Sequence, residues 1–531
     1  MIWLVLVLAV VVLIVVLMKR KESEKRDFFE SKGIKANKPR FFLITMCKLL
    51  LGQMGILDMI QGLYYEHSSD EKFVGFWDGN TPILMLKDPD IVKRFAVKEH
   101  EHFQDRRDFL TEEIDPLFGN SLFVLKEQKW RDMRATLSPA FTGSKMRAML
   151  DLMAEVGEHM VSYLHKEAKE KGPQTYEMRE LCSRASNDVI ATCAFGVKVD
   201  SFINKKNEVF CAAKELSNFN SASVIIKFIV FRFAPKLLSF FKINLTSIKD
   251  SNFIRSLITD AMKIREEKKI VRPDMIHLLM EARKGKLSYS EAEKDTAGFA
   301  TVEESSVGWK KVNRDWSETE IVAQCFLFLI GGFDSVSANL SFTTYELAAN
   351  PDVQQKLYEE VKKVHDQLNG QRLTYETLQK MKYLDMVVSE GLRLYPPTTI
   401  IERECNKNVT LDVKENFPFD FKKGYGIWIP IFCFHYDENL YPNPEKFDPE
   451  RFNDDNKTSI NASAYIPFGI GPRNCIASRF ALMELKTVLY FLILNFNLEV
   501  TSKTQVPLKF GKSFGTLQAE KGIYVQLRPR E

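Results

Sequence analysis

Between Ser317 and Asn350 the chain carries a long, almost wholly apolar helical pattern. It opens on Ser317-Glu318-Thr319-Glu320, a capping box: the serine hydroxyl accepts from the amide three residues on, and Glu320 reaches back. It closes at Asn350-Pro351. Roughly thirty residues at about 1.5 Å each give about 45 Å, so the pattern predicts a central helix that crosses a whole domain. In its middle stand Gly331-Gly332-Phe333-Asp334-Ser335. Each glycine costs a helix about 1 kcal/mol relative to alanine, so the pair needs a compensating reason. One is a groove where a ligand meets the backbone, with an acid and an alcohol beside it to relay protons. The other is close helix packing.

A body of this kind needs a large core. The chain has 531 residues, 45% hydrophobic and 27% charged, which excludes a small scaffold and a disordered chain. Lys+Arg at 74 against Asp+Glu at 70 leaves a formal charge of +4, and charge density gives no sign of a nucleic-acid binder. Gly and Pro never gather into a linker, and most of the stretch from about 85 to 400 shows helical spacing with few strand-like alternations. The expected fold class is mainly α (α+β), one large helical domain. The eight cysteines (Cys47, Cys182, Cys193, Cys211, Cys325, Cys405, Cys433, Cys475) lie far apart with no C-x-x-C, which reads as a reducing compartment.

Residues Ile2 to Met18 are unbroken apolar and end at Lys19-Arg20-Lys21. Positive charge after the run, rather than before it, argues for a retained transmembrane anchor over a cleaved leader. Its span of roughly 26 Å suits an endoplasmic reticulum core of about 27 Å, and the trailing charges put the remainder on the cytoplasmic face. The expected organisation is an anchor at 1–18, a basic linker at 19–45 and a catalytic domain at 46–531. A second apolar stretch, Val224 to Phe241, is interrupted by Lys227, Arg232, Pro235 and Lys236 and cannot span a bilayer. It either dips into the headgroup layer or belongs to the core.

Two local patterns concern structure and chemistry respectively. Glu390 and Arg393 stand at i, i+3 on a helix stopped by Pro396-Pro397, and Arg451 of Pro449-Glu450-Arg451-Phe452 is expected to join them in a locking triad with no chemistry. Phe468-Gly-Ile-Gly471-Pro472-Arg473-Asn474-Cys475-Ile-Ala477 precedes a helical run from Ser478 to Leu494. A cysteine just before a helix meets amide N–H groups and the positive dipole end, which stabilise a thiolate.

This F-x-x-G-x-R-x-C pattern resembles the haem-binding loop of the cytochrome P450 monooxygenases. Trp130-Arg-Asp-Met-Arg134, the G-G-F-D-S, the E-x-x-R and the P-E-R-F follow in that family's order. The resemblance covers nearly the whole chain after the anchor, and Trp130 to Met146 with Gln324 to Ser337 look most like insect microsomal members of clan 3, which oxidise foreign compounds and some hormones.

The resemblance implies the cytochrome P450 fold, with a long central helix and a small β-rich region, and haem b as cofactor. It implies Cys475 as the axial iron ligand, and Arg106, Trp130, Arg134, Arg403 and Arg473 as contacts of the haem propionates. Asp334 and Ser335 would deliver protons. Electrons would come from NADPH–cytochrome P450 reductase, a flavoprotein, with cytochrome b5 as a further partner, and Arg131, Lys145 and Arg147 would face the reductase. The pocket would draw on 107–123, 225–241, 326–335, 398–401 and the turn near Phe514, whose apolar content points to lipophilic substrates, foreign compounds foremost. Rivals are a haem-thiolate isomerase or dehydratase and a silent, ligand-sequestering haem protein. Two positions depart from the family: Ala477 where glycine is usual, and Ser335 where threonine is.

Overall fold

The computed structural model describes residues 23–531 apart from 26, 38–40, 108–109, 234–237, 239, 242, 273, 284–297, 311, 313 and 415–416. The expected anchor at 1–18 lies outside the described residues. Strands in chain order are β1 (Phe73–Asp78), β2 (Thr81–Leu86), β3 (Gln174–Glu177), β4 (Ile401–Glu404), β5 (Val409–Lys414), β6 (Phe417–Phe421), β7 (Gly426–Ile429), β8 (Phe496–Glu499) and β9 (Tyr524–Pro529). The helices that position the site are α1 (Glu127–Leu137), α2 (Gly143–Lys171), α3 (Met178–Ile190), α4 (Glu318–Ala349), α5 (Lys382–Leu394) and α6 (Ser478–Asn495). The fold is mainly helical with small β regions.

The chain forms two compact units. The first joins the N-terminal part, to Arg107, with Ile400–Pro430. Its main sheet has the order β1-β2-β7-β4. The β1–β2 hairpin is antiparallel, β2 runs parallel to β7 (Ile83 opposite Gly426), and β4 closes antiparallel on β7. Residues read as a basic linker take part in this unit. Phe28 packs edge-on against Trp77 and Phe419, Phe29 is 1% exposed, and the Trp77 indole donates to Lys25 O at 2.9 Å. Phe28 and Phe29, set among charged neighbours, supply these contacts, and a helix follows at Phe41–Leu50.

The second unit holds the helices and a sheet of order β3-β9-β8. The α4 helix starts where the capping box predicts: Glu320 N donates to Ser317 Oγ at 3.2 Å and Ser317 N donates to Glu320 Oε2 at 2.9 Å. Most of its length is buried against α3, α5 and α6. Among the described residues it is the helix long and apolar enough to cross a membrane, yet it is largely enclosed by protein, the condition of a core helix. Its buried polar side chains are paired: Ser337 Oγ donates to Phe333 O at 2.6 Å, and Asn339 Nδ2 donates to Gly391 O and Tyr395 O at 2.9 and 3.1 Å.

The locking triad forms in this unit. Arg393 grips Glu390 through Nε (2.7 Å) and Nη2 (2.8 Å), both residues are fully buried, and Arg451 Nε approaches Glu390 at 3.5 Å. Spare Arg393 donors go to His435 O and Pro444 O, and Asp448 N donates to Glu390 at 2.9 Å. A charge pair removed from water holds only when its remaining donors and acceptors are also met.

Candidate haem-thiolate site

The loop before α6 is shaped by two residues at positive φ, Gly469 (80°) and Gly471 (74°), a region that side-chain-bearing residues rarely adopt. The tight path lets Cys475 N donate to Phe468 O at 2.8 Å and Asn474 N to Gly471 O at 3.0 Å. Cys475 is partly exposed and not disulfide-bonded. The α6 helix begins three residues later with Ala477 as its N-cap and no side chain capping it. The positive end of its first-turn amides lies beside the cysteine.

Other cysteines sit differently. Burial pushes the Cys182 and Cys193 thiols far up, Cys325 up to about 12 and Cys405 up to about 11, so these stay protonated and inert. Among the described residues no cluster of three His, Cys, Asp or Glu exists that would hold a metal by side chains alone. A single thiolate at a helix start suits a metal whose remaining ligands come from elsewhere.

Trp130 and Arg134 both lie buried on α1. The Arg473 guanidinium stacks on the Trp130 ring, 4.3 Å from its centroid, and donates to Leu122 O at 3.0 Å and to Leu125 O. Arg134 is bonded to protein groups: Nε and Nη2 meet the Glu304 carboxylate at 3.1 and 2.8 Å, and Nη1 and Nη2 meet Asn474 O and Oδ1 at 2.8 and 2.9 Å. It thereby fixes the residue next to Cys475. Sequence spacing gave no hint of Glu304 or Asn474, since the partners lie 170 and 340 residues from Arg134.

On α4 the two glycines serve different ends. A methyl on Gly332 would collide with Ile190 of α3, whereas one on Gly331 would meet open space. Close packing and an open groove are thus one residue apart. Ser335 Oγ donates to Gly331 O at 2.5 Å. Asp334 is held by Arg179 Nη2 at one oxygen and by Thr516 Oγ1 at the other (2.8 Å). Neither partner was visible in the sequence, because each comes from a separate element. Of the three basic residues expected to face a reductase, Arg147 is ion-paired with Glu376 at 2.5 Å.

In the first unit, Arg107 is satisfied by Asp78 (2.5 Å) and Glu402 (2.9 Å). Arg403 is not. It is 2% exposed, its Nη1 donates to Glu402 O, and its Nη2 is buried with no hydrogen-bond partner. Burial, with Arg106 close by, pulls its guanidinium down to about 9. Such a group is costly unless an anion meets it, and the carboxylate of a haem propionate is an anion of that kind.

Comparison with known proteins agrees with this chemistry. The family described as Cytochrome P450 matches residues 38–527. The chain is 40% identical to "Probable cytochrome P450 9f2" of Drosophila melanogaster over 96% of each chain. It is 40% identical to "Cytochrome P450 9e2" of Blattella germanica over 95% of this chain and 94% of the relative. It is 33% identical to "Cytochrome P450 3A11" of Mus musculus over 96% of this chain and 94% of the relative. The family's cofactor is haem b, and the chemistry of the lone cysteine at a helix start fits it. The chain belongs to the cytochrome P450 family of monooxygenases, close to insect members of clan 3.

Proposed function

We propose that this protein inserts one atom of O2 into lipophilic foreign compounds, with electrons drawn from NADPH through a flavin-containing reductase and with cytochrome b5 as a further partner. We place it at the endoplasmic reticulum membrane, its body on the cytoplasmic side, on the strength of the apolar run at Ile2 to Met18 and the basic residues that follow it. Cys475 carries the proposal: it stands on a glycine-shaped loop at the uncapped start of α6, where a thiolate is favoured.

When bound, haem with a thiolate ligand supplies the activation of O2 that histidine-ligated carriers lack. The protein's own tasks are binding and proton handling. Cys475 supplies the ligand, and the Arg134 bonds to Asn474 hold its loop in place. Trp130 and the stacked Arg473 form a buried cationic and aromatic wall in the same unit. Ser335 holds a hydroxyl proton directed at Gly331 O, next to the position where a side chain would meet open space. To Asp334, partly exposed and ion-paired with Arg179, we assign the passing of protons from water toward that hydroxyl. Retention of this acid and alcohol favours oxygen insertion over peroxide rearrangement, which needs no delivered protons.

The test is Cys475→Ser in pigmented protein. Wild type reduced under carbon monoxide should show a Soret band shifted strongly to the red, and the variant should lose it. A band that survives the substitution would remove the thiolate and with it the proposal. NADPH-dependent product from lipophilic compounds in reductase-supplemented membranes tests the remainder.

A further inference from the structure

The turn Ser513–Thr516 bonds in two directions. On one side is Asn220: its Oδ1 accepts from Phe514 N at 2.6 Å and Gly515 N at 3.3 Å, and lies 3.0 Å from Ser513 Oγ. Backbone N–H groups only donate, so the amide oxygen must face the turn. The Ser513 hydroxyl has one proton and shares it between Asn220 Oδ1 and Thr516 O, 2.7 Å away. Apolar contacts follow the same seam. Phe514 meets the Phe228 ring edge-on with centroids 4.9 Å apart, and a side chain at Gly515 would press on Phe219 Cβ at 3.3 Å.

On the other side is Asp334. Thr516 Oγ1 donates to Asp334 Oδ2 at 2.8 Å, while Arg179 of α3 takes Oδ1. Both carboxylate oxygens are therefore fixed from outside α4. A carboxylate held at both oxygens has one orientation; held at one, it can rotate about its last torsion.

We propose that this turn is a latch joining residues 219–228 to Asp334, with Thr516 and Asn220 as positioning residues for the acid. When 219–228 packs on the turn, Thr516 holds Asp334 in a single orientation. When that segment lifts, Asn220 leaves the turn and Thr516 loses its support, so proton transfer at Asp334 proceeds at full efficiency only with the segment in place. The latch rests on the proposed role of Asp334 in proton delivery.

The chemistry of each bond supplies its own control. Asn220 acts only as an acceptor, so Asn220→Asp keeps the bonds and Asn220→Ala loses them. Thr516 acts as a donor, so Thr516→Ser keeps it and Thr516→Val loses it. In holoenzyme reconstituted with reductase, Asn220→Ala and Thr516→Val should each lower product formed per NADPH consumed by roughly twofold to fivefold, and the double variant should be no worse than either single one. The Asp and Ser variants should stay at the wild-type ratio. Additive losses in the double variant would overturn the latch, as would losses of thermal stability with no change in the ratio. Hydrogen exchange of the same proteins without turnover gives a second reading: Thr516→Val, remote from Asn220 in sequence, should speed exchange across 219–228. Unchanged exchange there would overturn the latch. A wild type that makes no product while exchange responds as stated would instead count against the monooxygenase reading alone.

Discussion

Ser335 keeps the hydroxyl that the family's usual threonine supplies, without the methyl that restricts its rotamer. Its 2.5 Å bond to Gly331 O is one of several orientations open to an unbranched side chain. Ser335→Thr should raise product formed per NADPH consumed; an unchanged ratio would remove any functional meaning from the substitution. A second residue, Glu484 on α6, is fully buried, with the Ser186 hydroxyl as the group that opposes the effect of its burial and, among the described residues, no cation to pair it. Burial pushes its carboxyl from 4.5 up to about 8, with Ser186 opposing. The folded state thus holds this proton more tightly than the unfolded one. Its contribution to stability is complete below pH 4.5 and is lost as pH rises through about 8. Glu484→Gln, neutral at every pH, should gain thermal stability over wild type at pH 8 and above and gain little at pH 5. Melting curves that stay parallel across that range would show that the carboxyl ionises freely.

At the scale of elements, the glycine pair of α4 invites a paired test. Gly332→Ala forces a methyl into Ile190 and should cost roughly 1–3 kcal/mol in denaturant unfolding. Gly331→Ala meets open space and should be stable, even gaining about 1 kcal/mol of helix propensity. It should weaken bulky ligands nonetheless, seen as a higher concentration needed for the ligand-induced spectral shift. Equal effects of the two changes would mean the groove is not a ligand groove. These elements also show what a sequence can and cannot reveal. The capping box of Ser317, the Glu390–Arg393 pair and the Cys475 loop are local patterns, spaced by a turn or two, and their geometry follows from spacing. The partners of Asp334 stand 155 and 182 residues away and those of Arg134 stand 170 and 340 away, so no period along the chain encodes them. Between residues 23 and 37 the charges set the average composition, while Phe28 and Phe29 make the aromatic contacts, which an average does not show.

For the molecule as a whole, attachment to a membrane would depend on more than the N-terminal run. The stretch from Val224 to Phe241 has a helix, Ala222–Phe233, with Ile226 half exposed, and beyond it Phe240 and Phe241 are 79% and 63% exposed while Leu238 is buried. Part of the stretch is core and part is bare apolar surface, the mixture expected of a face that dips into headgroups. A chain lacking residues 1–22 should still sediment with phospholipid vesicles, and Phe240→Asp with Phe241→Asp should release it; retention of the double variant would refute the contact. The first unit carries a different consequence, one of timing. Its sheet is shared between the beginning of the chain and a segment four-fifths of the way along it, because β2 pairs with β7. A ribosome releases β1 and β2 early and must make most of the polypeptide before their neighbour emerges. Throughout that interval one strand edge stays open to any passing strand, so premature termination anywhere in between would yield a sticky fragment rather than a smaller working protein.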